Sequence, residues 1–199
     1  MNRRTVIKRL GLATVAVVAT PTVLGLLNSC TTEAKLWTPQ FLTKKQGQIL
    51  IKMVDVFLPK SELPSATEVN VPEFIDRYML EVYEVAEQKA FTSAFDKMLI
   101  KLEDHTQKQD DDIKSKDLEG FLDAYLKTES EIDQERQNDP NYKGLTTSEC
   151  LNTIKRFCID AYITSEKIGE EVLAFDPVPG MYYCGDLNEL TEGKRWSLS

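Results

Sequence analysis

The chain has 199 residues, 24 Lys+Arg against 32 Asp+Glu and a single histidine, for a formal net charge of −8. One domain is the expectation at this length, and 42% hydrophobic residues, including 8 Phe, 7 Tyr and 2 Trp, supply a core and exclude a disordered chain. The acidic balance excludes nucleic acid as a partner, because phosphate binding needs a basic footprint. One histidine, His105, leaves little for a His general base, a triad or a His-rich metal site.

Arg3, Arg4, Lys8 and Arg9 hold all the positive charge of the opening segment, and Leu10 to Leu27 carries no charge. Basic then apolar is the order of a bacterial export signal. Arg3-Arg4 ahead of Thr5-Val6-Ile7-Lys8 resembles a twin-arginine signal, the route for cargo already folded, with an ordinary secretory signal as the alternative. Leu27-Asn28-Ser29-Cys30 reads as a lipobox, so Cys30 is expected to become a diacylated N-terminus that holds the chain on the membrane. A permanent transmembrane helix competes with this, but Pro21, Gly25 and a length at the short end of the ~17–25 residues a span needs count against it. Residues 1–29 are then the signal, 30–42 a tether carrying Pro39, and 43–199 a single body exported to the cell envelope or periplasm. Removing the leader takes four cations and no anion, which leaves the body more acidic still.

Thr43-Lys44-Lys45-Gln46 has the spacing of a capping box, and Leu50, Met53, Val54 and Phe57 follow at i, i+3, i+4, i+7 until Pro59, which predicts a first helix. After a Pro/Ser/Thr-rich loop, Pro72 opens a second helix that ends near Val85 and is expected to bury Phe74, Ile75, Tyr78, Met79 and Val82. Phe91, Ala94, Phe95, Met98 and Leu102 form a third stripe, and the pattern breaks in the polar run Glu103 to Lys116. Leu118, Phe121, Leu122 and Tyr125 give a fourth helix through Gly120, and Glu129 to Gly144 reads as a long surface loop. Thr146-Thr147-Ser148-Glu149 is a second capping box, opening a fifth helix with Leu151, Ile154, Cys158, Ile159 and Tyr162 on one face. No stretch alternates with period 2, so the fold class is all-α, a small bundle of about five helices.

Beyond Gly169 the chain turns irregular, rich in Pro, Gly and aromatics. Aromatic anchors in such a segment dock on a surface, either the bundle's own side or a partner, and the residues expected to touch a partner are Phe175, Pro177, Pro179, Gly180, Tyr182, Tyr183, Cys184 and Trp196. Cys150 and Cys158 lie eight apart on the fifth helix, about 12 Å at ~1.5 Å per residue, beyond disulfide reach. Cys184 is open to Cys158, to a cysteine of a partner subunit, or to neither.

The dinucleotide, phosphate-loop, Gly-x-Ser-x-Gly, His-Glu-x-x-His and haem-attachment signatures are all missing from the sequence. His105 reads as a solvated surface histidine. Asp110 to Asp112 lack the acid spacing and the glycine of an EF-hand. Glu73 with Asp76, and Glu170 with Glu171, are carboxylate pairs of the kind hydrolases use, but on amphipathic helices they are expected on the wet face. The residues therefore give no catalytic, cofactor or metal site in this chain.

Three features together, the twin-arginine leader, Val71-Pro72-Glu73-Phe74-Ile75-Asp76, and the tail Asp176-Pro177-Val178-Pro179-Gly180-Met181-Tyr182 ending near Trp196, resemble the gluconate 2-dehydrogenase subunit 3 family over Thr43 to Trp196. The long acidic insertions around Asp110 and Glu131 and the lipobox depart from that pattern. The resemblance implies a non-catalytic small subunit that assists folding, export and anchoring of an FAD-dependent large subunit of the glucose-methanol-choline type. FAD then sits in the partner and no cofactor in this chain, electrons leave to a cytochrome c subunit or a quinone, and the substrate is a sugar or aldonate. A stand-alone cell-envelope lipoprotein with a binding or scaffolding role is the competing expectation.

Overall fold

The computed structural model describes residues 37–109, 112–126, 134–176, 180 and 184–197. The leader with Arg3, Arg4 and Cys30, and Pro177, Pro179, Tyr182 and Tyr183 of the tail, lie outside the described residues. Among the described residues eight α-helices follow one another: α1 (Lys44–Phe57), α2 (Val71–Val82), α3 (Val85–Thr106), α4 (Ser115–Leu126), α5 (Gln134–Asn138), α6 (Thr147–Ile163), α7 (Glu166–Glu171) and α8 (Leu187–Thr191). The described residues contain no strand, only one isolated parallel bridge between Ala174 and Trp196. The fold is all-α, as the periodicity implies, and none of its described helices is long and apolar enough to cross a membrane.

Both capping boxes form. Thr43 Oγ1 accepts from the Gln46 amide at 3.2 Å while Gln46 Oε1 accepts from the Thr43 amide at 2.9 Å, and Thr146 and Glu149 repeat the exchange at the start of α6 at 3.2 and 3.1 Å. Gln46 is buried, and its amide nitrogen donates to Asp96 at 2.8 Å, so the cap of α1 also ties it to α3. Helices α1 and α6 form the centre, each packed against α2, α3 and α4 as well as against each other. Ile49, Leu50, Met53 and Val54 of α1 meet Leu151, Ile154 and Cys158 of α6 in a core closed by Phe91, Phe95, Met98 and Leu102 of α3 and Leu118 and Phe121 of α4. Each such side chain contributes about 1.5–3 kcal/mol on burial.

The expected five helices are all present, and the differences lie at their edges. Phe74 and Val82 of α2, expected inside, are 44% and 58% exposed, because α2 packs mainly against α1 and α6, with no third described helix over its far side. On α6, Ile159 is 40% exposed and Phe157 is buried in its place. The stretch expected as a surface loop contains α5, whose Glu135 is held by Lys101 and Thr147, and polar bonding of this kind leaves no trace in a hydrophobic pattern. Ile113, inside the polar run after α3, is buried, and its carbonyl accepts from Lys52 at 3.0 Å. Nor is the C-terminal segment irregular throughout: Asp186 caps α8, its carboxylate accepting from the Asn188 amide at 2.8 Å.

Asp76 is the largest departure. Expected on the wet face, it is fully buried, and its carboxylate accepts the backbone N–H groups of Gln40 (2.7 Å), Phe41 (3.1 Å) and Leu42 (2.7 Å). Three amide donors compensate the burial of the charge. They also fix Gln40 to Leu42, read from sequence as tether, onto α2. Glu73, one turn earlier, is exposed, so the two carboxylates do not form a pair aimed at one site.

Candidate partner-docking surface

Helix α2 carries two stripes. Val71, Ile75 and Met79 recur at i, i+4, i+8 on the buried side, and Phe74, Tyr78 and Val82 recur with the same spacing about 60° around the axis. The second stripe is only half covered. Phe74 and Tyr78 stack with ring centroids 5.7 Å apart and planes at 24°. Tyr78 then meets Phe157 of α6 at 5.1 Å, and Tyr83, just past the end of α2, closes on the same Phe157 edge-on at 6.0 Å. The Arg156 guanidinium lies 5.2 Å from the Phe157 ring centre, a cation–π contact at the rim of the cluster. Burial raises the Tyr83 phenol above its ordinary range. Gln88 of α3 holds the corner by donating from its amide nitrogen to the carbonyls of Met79, Leu80 and Tyr83 at 3.0–3.1 Å.

Beside this cluster an open groove of about 540 Å³ runs between α2 and the α6–α7 junction, floored by Phe74, Tyr78, Val82 and Ala161. Its charged rim is mostly acidic. Arg77 pairs with Glu81 one turn on at 3.2 Å, whereas Glu73 and Glu166 make no ion pair among the described residues. Two of the hydroxyls at the groove are engaged in helix ends: Thr164 donates to the Asp160 carbonyl and Ser165 to the Tyr162 carbonyl, each at 2.7 Å. An apolar floor with a charged rim suits binding an apolar group with charged flanks.

The other sequence-expected residues are scattered. His105 is exposed in the last turn of α3 with its ring edge-on to Phe121 at 5.7 Å. Cys150 and Cys158 are buried on α6 and unbonded, and desolvation pushes both thiols up to about 12, which keeps them protonated and inert. Cys184 is exposed and unpaired, so the disulfide to Cys158 left open by the sequence is not made. Phe175 is 40% exposed, Gly180 is exposed, and Trp196 is half-buried. The Ala174 amide donates to the Arg195 carbonyl at 2.9 Å and the Ser197 amide to the Ala174 carbonyl at 3.0 Å, so the two ends of the C-terminal segment pair with each other. Among the described residues no three His, Cys, Asp or Glu side chains gather as a metal site would need.

The groove was missed in the sequence because Phe74, Tyr78 and Val82 fit a core stripe. The signal that could have found it is the excess of apolar positions on α2, whose two stripes together are wider than two neighbouring helices cover. The family model described as gluconate 2-dehydrogenase subunit 3 matches residues 44–180. The chain belongs to this family. Every residue lining the groove falls inside the matched span, while Cys184, α8 and Trp196 lie beyond it. Subunit 3 is by its description one part of a multi-subunit dehydrogenase, which places the chain's role in such a complex. Neither a curated protein nor a solved structure matches the chain.

Proposed function

We propose that this subunit 3 protein is a non-catalytic accessory chain of an FAD-dependent dehydrogenase of the glucose-methanol-choline type, acting on a sugar or aldonate. It assists folding of the flavoprotein, carries it out of the cytoplasm through the twin-arginine leader at Arg3 and Arg4, and holds it at the membrane through a lipid on Cys30. The family match carries this reading. Two further observations support it: a half-open aromatic cluster beside an apolar-floored groove, and a leader suited to cargo that must acquire its flavin before export. FAD and the substrate pocket belong to the partner, with a cytochrome c subunit as a further neighbour. The exposed tail residues Phe175, Gly180 and Cys184 are additional partner contacts in this scheme.

The deciding experiment is affinity purification of the tagged full-length chain from its own membranes, with an absorption spectrum and mass identification of what accompanies it. A flavin spectrum with a large companion polypeptide is expected. Colourless, partner-free chain would overturn the proposal in favour of a stand-alone envelope lipoprotein.

A further inference from the structure

We infer that the groove between α2 and the α6–α7 junction is the seat of an amphipathic segment of the flavoprotein subunit, one apolar side chain entering between Phe74 and Val82 and flanking Lys or Arg side chains meeting Glu73 and Glu166. The inference rests on the accessory-subunit reading and adds to it the surface and the chemistry of the contact.

Three observations converge on this occupant. Phe74 and Val82 are 44% and 58% exposed although Tyr78 between them is tied to Phe157 and Tyr83, so the floor is preformed and rigid while its two ends remain uncovered. Rigid aromatic anchors in a partly desolvated groove are the kind of residue that dominates binding energy. Helix α2 has 12 residues, about 18 Å at 1.5 Å rise per residue, which matches three turns of a helix laid alongside in the helix-in-groove mode. Charge then selects the partner. With Glu81 neutralised by Arg77, the carboxylates left without ion pairs at the rim are Glu73 and Glu166, so a segment with basic flanks is attracted. A second copy of this chain is disfavoured, because it would bring the same rim and a net charge of −8 against its like.

The probe is the flavoprotein that co-purifies with the full-length tagged chain, read as flavin absorbance per mole of chain while the salt of the wash is raised. Phe74→Ala is expected to cut the retained flavin about tenfold or more. Glu73→Gln with Glu166→Gln is expected to reduce it about three- to tenfold at low salt and to flatten its fall with salt, since screening acts on the charges those changes remove. Ile100→Ala, on an equally exposed position of α3, serves as the control and is expected to leave retention unchanged. Equal thermal midpoints for all variants exclude misfolding as the cause. Wild type that brings down flavoprotein while both groove variants retain it fully would overturn the groove and leave the accessory role standing, and wild type that brings down none would overturn both. A salt response unchanged in the Gln double variant would overturn the basic flanks. A concentration-dependent dimer of the wild-type chain, lost in Phe74→Ala, would replace the flavoprotein with a second copy.

Discussion

Two pairs of aromatic residues, each spaced i, i+4 on a helix with nearly equal centroid separations, differ in what lies over them. Phe91 and Phe95 of α3 have ring centroids 5.8 Å apart and are 1% and 0% exposed. Phe74 and Tyr78 of α2 are 5.7 Å apart, yet Phe74 keeps 44% of its surface. The α3 pair is enclosed because α1, α4 and α6 all pack on that helix, whereas among the described helices α2 packs mainly on α1 and α6. Helical spacing brings two rings together, and neighbouring helices decide whether the pair stabilises the chain or stays open to a partner.

The comparison breaks most directly by truncation. Phe95→Ala removes a fully buried ring and is expected to destabilise the protein by about 3–5 kcal/mol, while Phe74→Ala, half in water already, should fall within about 1 kcal/mol of wild type. Urea unfolding of the two variants reads the difference from the midpoints at constant slope. Equal losses would mean that Phe74 is core in solution.

Asp76 explains why one face of α2 stays fixed while the other is free. Its carboxylate binds three amides of the entering chain, so Asp76→Ala leaves Gln40, Phe41 and Leu42 without their acceptor at an expected cost of about 2–3 kcal/mol. Hydrogen exchange at those amides locates the effect. They are expected to be protected in wild type and to exchange much faster than the α1 and α6 amides in the variant, and protection that survives the change would show that Asp76 is not what holds the segment.

How much of this was legible in the sequence follows from the same contrast. Capping boxes at Thr43 and Thr146 are local, a side chain and an amide three residues on, and both were readable. The buried stripes of α1 and α3 are readable because their helically spaced positions, Leu50, Met53 and Val54 and Phe91, Phe95, Met98 and Leu102, are all covered. The exposure of Phe74 and Val82 escapes the pattern because it depends on which helices pack on α2, and no third described helix covers them. Asp76 was misplaced because its partners lie 34–36 residues away and are backbone groups, which no pattern of side chains reveals. Of the expected contact residues, the tail contributes exposed Phe175, Gly180 and Cys184, while the helical pattern assigns Phe74, Tyr78 and Val82, which floor the groove, to the core.

The cover over α3 includes one acid-sensitive element, the half-buried pair of Glu135 with Lys101. Glu135 of α5 has a side chain only 15% exposed; it accepts from Lys101 at 2.5 Å and from the Thr147 hydroxyl at 2.7 Å, while Tyr142 accepts from Lys97 at 2.8 Å a few residues on. Burial alone would raise the Glu135 carboxyl, but these hydrogen bonds outweigh it and hold the group down at about 2 against an ordinary 4.5. A group depressed in the folded state stabilises above its unfolded value and loses that stability as pH falls, so the contribution is complete above about 4.5 and disappears toward pH 2. Glu135→Gln keeps an oxygen for Thr147 but removes the charge that Lys101 meets. The variant is expected to be about 1–2 kcal/mol less stable at neutral pH, a figure kept below the full shift because the pair retains some solvent contact, and the two stability curves should converge between pH 4.5 and 2. Other acids titrate in the same interval in both proteins, so the difference between the curves isolates Glu135, and parallel curves would remove it as the latch that fastens α5 across α3.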